Sequence, residues 1–343
     1  MSVADLAVPS AIVSVLDVVD LDIDRLRVTV ADVTLEADNP TELGVKLSQT
    51  LYEVFHAGRR TDGGKALPFH LRDRDFERAL AEHVPHEVTV SEGVVCEPVP
   101  AGAADDAMVL ILCGGPRVWV PLGRIQNEPP LTPGQRVNVA LSPMRPALSP
   151  GFFFVHGSAP SDMRGDILRV YIHLAASEEA PAVWHRVLSY LEEQQAEYRA
   201  KVLSSPLLYP RRDGLVVYLG DRSRGLAAGL ATLVAGVPGV GPEVSVFARA
   251  LGPGVATAWE PDDRRPAMRG MSFGQHRAGV IGQALVEAAA GKAPRSAVIA
   301  ARFAEANIDP CDLARNRTSP EAMAGDACTC PPLPDSDNRL ERR

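Results

Sequence analysis

A chain of 343 residues, 46% hydrophobic and 23% charged, is long enough for one large domain or two ordinary ones and too apolar for disorder to be its main state. Its net charge of -8 excludes a surface given over to nucleic acid or anionic membrane, and five cysteines, an odd and sparse set, argue against a disulfide framework and for a reducing compartment. Of 35 basic residues only Lys46, Lys65, Lys201 and Lys292 are lysines, so each stands where this chain habitually uses arginine.

The first 21 residues carry Asp5, Asp17 and Asp20 and no basic start, unlike a secretory signal, which predicts a cytoplasmic protein. Some strand is expected around 26–35. Asn39-Pro40-Thr41-Glu42 reads as a helix cap, and Leu43, Val45, Leu47, Leu51, Val54 and Phe55 follow at helical spacing. A short helix over 73–83 comes next, then strand-like runs at 86–96 and 108–120, interrupted by the turn signal Cys113-Gly114-Gly115-Pro116. Short β-rich runs at 137–141, 151–156 and 167–174 lie between Pro- and Gly-containing loops, the pattern of neighbouring antiparallel strands. A helix over 178–198 and strands at 198–203 and 214–219 succeed them. The run 225–241 is shorter than the roughly 20 residues of a membrane helix and reads as a buried helix ending in a turn. Helices over 272–290 and 294–306 close the folded part, and the stretch from Asn307 is expected to be a loose tail.

Strands in adjacent pairs with inserted helices predict an α+β domain with a mainly antiparallel sheet and flanking helices. Phosphate loops, dinucleotide fingerprints, zinc-protease motifs and nucleophile elbows are missing, and Cys328-Thr329-Cys330 lacks a second ligand pair, so neither cofactor nor metal is expected.

Polar side chains gather at four places. Arg169, Tyr171 and His173 alternate along one strand and share a face, either a solvated edge or a wall for an anion. Lys201 opens the strand after the long helix; it is either a surface lysine or an amine required where arginine, which keeps its proton, cannot serve. Arg211 and Arg212 precede a strand whose Tyr218 shares a face with Arg212 by even spacing, and they are either turn residues or phosphate ligands. Ser272 caps the penultimate helix, whose first turns bear Arg277, an ordinary helix start or an anion site.

Together, Arg169-x-Tyr171, the Lys201 strand, Tyr209-Pro-Arg-Arg-Asp213-x-x-Val-x-Tyr218 and Ser272-Phe-Gly-x-x-Arg277 resemble the HopA family, which includes type III effectors and the lyase components of class V lanthipeptide and thioamitide synthetases. The resemblance spans about 135–306. It implies a core like that of the phosphothreonine lyases, which convert phosphoserine or phosphothreonine to dehydroalanine or dehydrobutyrine by β-elimination. It also implies Lys201 as base, Arg169, Arg211 or Arg212, and Arg277 as phosphate ligands, and Tyr171 as proton donor. His173 and Tyr218 are the alternative donors, because the K-x-H of the effector lyases is replaced here by Arg169-Val170-Tyr171.

The function so implied is removal of phosphate from a precursor peptide that a separate kinase has phosphorylated, in biosynthesis of a ribosomally made peptide. The implied partners are that kinase, in a heterodimer, and a precursor with a leader, with no nucleic acid and no membrane. The competing reading is a non-catalytic scaffold that binds phosphopeptide or leader; a virulence effector is weighed third, as no secretion segment is recognisable. The expected division is a docking region over 1–130, a lyase core over 131–306 and the tail over 307–343.

Overall fold

The computed structural model describes residues 12, 15–59, 72–146, 148–160, 163, 165–291 and 293–320. Its centre is a six-stranded antiparallel sheet of β8 (Phe152–His156), β9 (Leu168–Leu174), β10 (Tyr198–Leu203), β11 (Arg211–Leu219), β12 (Arg249–Gly252) and β13 (Val255–Trp259), in the order β12-β13-β9-β11-β10-β8. Ahead of it in sequence, β1 (Val19–Asp22), β2 (Arg27–Val30) and β3 (Val33–Glu36) form a meander. The strands β4 (Thr89–Val95), β5 (Met108–Leu112), β6 (Arg117–Pro121) and β7 (Arg136–Leu141) form a second antiparallel sheet with its own apolar interior.

The helices are α1 (Pro40–Leu51), α2 (Arg74–Glu82), α3 (Ala180–Glu193), α4 (Ala227–Val234), α5 (Phe273–Ala290) and α6 (Arg295–Glu305). Both faces of the central sheet are covered. Val170, Ile172, Val202, Leu215 and Val217 pack with Val183, Trp184, Val187 and Leu191 of α3 in one core, and α2 and α4 complete that layer. On the other face, Tyr171, Val216 and Ala258 join Leu43, Leu47 and Leu51 of α1 and Phe273, Ile281 and Leu285 of α5. The α+β class with antiparallel sheets and flanking helices is therefore as the sequence predicts.

Several local expectations hold in detail. Asn39 Oδ1 accepts from Glu42 N at 2.9 Å, and Ser272 and Gln275 form a reciprocal capping box at the start of α5. No helix among the described residues is long and apolar enough to cross a membrane.

Other expectations need correction. The hairpin β12–β13 falls where no strand is expected. Val255-Ala-Thr-Ala-Trp259 has only small residues between its ends and is buried on both sides beside β9, so it shows no alternation. The tail boundary is also wrong: Ile308, Leu313 and Ala314 are buried, and Trp259 N donates to Ala314 O at 2.8 Å, so residues 307–320 belong to the folded body. Cys96 and Cys113 are free thiols, but Cys311 is disulfide-bonded, which amends the cysteine reading at that position. Cys328, Cys330, Lys65 and Lys292 lie outside the described residues.

Candidate functional site

Strand register builds the floor of the site. Lys201 on β10 faces Phe154 on β8 and Val216 on β11, and Val216 faces Tyr171 on β9. One step along, Arg199, Tyr218 and Arg169 lie in a second cross-strand row. Alternation sends both rows to the α1 and α5 face, where Lys201, Tyr171, Tyr218 and Arg169 line a cavity of about 710 Å³. The roof comes from the end of α1, which widens into a π-helical turn over Tyr52–Ala57 before Gly58 stops it in the left-handed region at φ +72°. That turn directs Tyr52, Glu53 and His56 into the same cavity.

Two of the cavity's arginines, Arg169 and Arg211, are each gripped by a carboxylate. Arg169 Nε and Nη2 donate to the two oxygens of Glu260, both at 2.5 Å, and its guanidinium lies 5.0 Å from the centre of the Tyr218 ring. Arg211 donates to both oxygens of Asp213, at 2.7 and 2.8 Å, and to the Tyr52 hydroxyl at 2.5 Å, which in turn donates to Asp213 at 3.1 Å. Burial works to raise Asp213, but Arg211 beside it overrides burial and holds the carboxyl well below the usual range. These bidentate pairs fix two planar cations at the floor without using every N–H, the arrangement that receives an oxyanion.

His56 is enclosed, edge-on to Tyr171 at 5.1 Å between ring centres, with Nδ1 2.8 Å from Ser245 Oγ and Nε2 3.8 Å from Asp213. Burial pushes its pKa down to about 4, so the ring is neutral at pH 7. The Tyr171 hydroxyl is buried without a well-formed hydrogen bond, and burial raises its pKa against the opposing pull of Arg169. Lys201 differs from the arginines. Its Nζ stands over the Phe152 ring at 4.1 Å and 6.0 Å from the Tyr218 ring centre, and it has no ion pair among the described residues. Lys46, by contrast, is spent on Glu42 and on the carbonyl of Glu36, each at 2.8 Å.

Five of the eight expected site residues thus meet in one cavity: Lys201, Tyr171, Tyr218, Arg169 and Arg211. Three do not. His173 is one alternation further along β9, where its ring packs against Gly241 under a loop. Arg212 turns away to Glu243 and to the carbonyl of Val54, both at 3.4 Å, because an irregularity between Arg211 and Leu215 breaks the alternation; Arg211, not Arg212, lies with Tyr218. Arg277 is fully buried beside the site and satisfied by the carbonyls of Leu313 at 2.7 Å and Arg315 at 3.0 Å, the Asn316 side chain at 3.0 Å and His276 Nδ1 at 2.7 Å. Its N–H groups hold the 313–316 segment rather than facing the cavity.

Sequence reasoning missed Tyr52, His56, Asp213 and Glu260. Tyr52 and His56 are four apart on a predicted helix, a visible spacing, but only the tertiary fold brings them above Lys201. Among the described residues, no cluster of three or more His, Cys, Asp or Glu side chains is placed to hold a metal ion.

Comparison with known proteins finds that residues 144–315, which are 172 of the 343, match the model described as the HopA1 effector protein family. Two solved structures are similar: the effector protein from Pseudomonas syringae pv. tomato strain DC3000, at 15% identity over 82% of this chain and 91% of that one with a TM-score of 0.44, and the effector protein from Pseudomonas syringae pv. syringae strain 61, at 15% identity over 80% and 92% with a TM-score of 0.43. No curated protein matches.

Proposed function

The chain belongs to the HopA1 effector protein family, and from that premise we propose that it is a phosphoserine/phosphothreonine lyase. Its substrate is a precursor peptide phosphorylated by a separate kinase, and its product carries dehydroalanine or dehydrobutyrine, as in lanthipeptide biosynthesis. The supporting observation is the convergence of an unpaired lysine, two carboxylate-anchored arginines and two tyrosines in one cavity.

In this reading Arg211 and Arg169 hold the phosphate oxygens with the N–H groups left over from their carboxylates. Lys201 Nζ takes the α-proton. The electron pair of that C–H bond becomes the second Cα–Cβ bond, the Cβ–O bond breaks, and phosphate leaves with its electrons. Tyr171, whose phenol burial keeps protonated, gives the bridging oxygen its proton, with Tyr218 as the alternative. Glu260 and Asp213 keep the guanidinium planes in place. The kinase acts as a heterodimer partner, and the 1–130 region, which carries three strands of the four-stranded sheet, β4 to β6, is the docking region for kinase or leader.

The test is mass spectrometry of a phosphorylated precursor incubated with the protein. Loss of one phosphoric acid per phosphosite is expected, and Lys201→Ala is expected to abolish it, by a factor on the order of 10² to 10⁴. Retained elimination in Lys201→Ala overturns the base assignment. Phosphopeptide binding without elimination by the wild type moves the assignment to the scaffold reading.

A further inference from the structure

A second cavity, of about 880 Å³, runs between α1 and α5 and joins the first. Gln49, Tyr52, Arg269, Gly270, Met271 and Gln275 line both, so the two cavities adjoin along these residues. Resting on the lyase reading, we infer that the α1–α5 groove seats the substrate polypeptide in extended form on one side of its phosphorylated residue.

Three glycines, Gly274, Gly279 and Gly282, interrupt α5. A glycine inside a helix costs roughly 1 kcal/mol relative to alanine and asks for a reason. Gly274 and Gly282 have one: a Cβ at either would collide with His56 or Ser48 of the neighbouring segment, so they let α1 and its π-turn approach. Gly279 has none of that kind. A Cβ there meets nothing within 4 Å, because the residue opens onto the groove. Its missing side chain keeps the floor low.

The lining suits a backbone more than a particular side chain. Gln283 offers an amide that donates and accepts, Gln275, its oxygen engaged by Ser272, offers its NH2 group, and Gln49, which donates to Glu53, offers its oxygen, while Val45 and Val286 supply apolar contact, and Val45 is already 64% exposed. Charge is placed where the two cavities meet. Arg302 and Glu287 in the groove neutralise each other at 2.6 Å, whereas Arg269, at the junction, is exposed and has no ion pair among the described residues. A polypeptide carrying one phosphate therefore finds a near-neutral groove and a cation at the entrance to the phosphate cavity. The twelve residues of α1 extend about 18 Å, enough for about six residues of extended chain.

Fluorescence anisotropy tests this on the otherwise intact protein carrying Lys201→Ala, so that no substrate is consumed. The probes are a phosphoserine peptide with about six residues on each side, and a minimal phosphoserine peptide without flanks. The long probe is expected to bind more tightly than the minimal one. Gly279→Leu, which fills the floor, and Val45→Glu, a rim change that leaves the core alone, are each expected to weaken the long probe about tenfold and collapse its advantage. Equal binding of the two probes, or an advantage that survives both substitutions in folded protein, overturns the inference. Its failure is separable from that of the lyase reading: elimination by the Lys201 protein with groove variants that change nothing removes only the groove. Groove-dependent binding without elimination removes only the lyase.

Discussion

At the scale of single residues, the cavity separates what each polar group does by what it is bonded to. Arg169 and Arg211 are held on two sides, whereas the Tyr171 hydroxyl, buried and without a well-formed partner, is stability left unrealised. Removing an unsatisfied buried hydroxyl is close to neutral for folding. Tyr171→Phe is therefore expected to leave the thermal midpoint unchanged or slightly higher while elimination falls by about 10² or more. Calorimetry and the mass assay on the same sample check both halves; normal turnover would move the proton-donor role to Tyr218. Lys201 was legible in the sequence for a compositional reason, since a chain so rich in arginine that keeps a lysine on a strand invites a chemical explanation. His56 was not legible, because nothing local distinguishes a histidine on an apolar helix from one enclosed above the cavity floor. Arg212 misled, since even spacing assumes regular pleating and the strand is irregular between Arg211 and Leu215.

At the scale of elements, most boundaries follow from caps and periodicity, as at Asn39 and Ser272, and most failures come from elements defined only by their neighbours. The β13 strand, small and buried on both sides, has no pattern of its own and exists because β9 and β12 flank it. The close approach of α1 to α5 is likewise tertiary. It yields a paired prediction: Gly274→Ala should destabilise by about 1 to 3 kcal/mol, since the new methyl meets the His56 ring. Gly279→Ala should instead stabilise by up to about 1 kcal/mol, since the methyl is unopposed. Urea titration of the two variants beside the parent checks the sign of each, and equal behaviour would refute the packing account.

At the scale of the whole molecule, buried histidines set the response to acid. Burial depresses His56 and His276 to about 4, below the usual value near 6.5, and the neighbouring arginines add to the effect. Below pH 6.5 the unfolded chain takes up protons that the folded chain refuses until about 4. The stability these rings contribute is thus full above pH 6.5 and is lost as pH falls through that window, on the order of 3 kcal/mol for each enclosed ring. Unfolding free energies should stay level from pH 7.5 to about 6.5 and fall from there to 4.5, and His56→Gln, if folded, should flatten the slope of that fall; a profile level throughout would contradict the enclosure of the rings.

The segment over 307–320 also ties distant parts of the molecule together. Asn316 accepts from Arg277 and donates at 2.7 Å to the carbonyl of Glu260, the residue whose carboxylate orients Arg169. The segment acts as a buckle: it braces the backbone of the residue whose carboxylate aims the Arg169 guanidinium into the cavity. A shortened version of this protein that stops after Ala306 would lose the brace behind Arg169 before it lost its sheet.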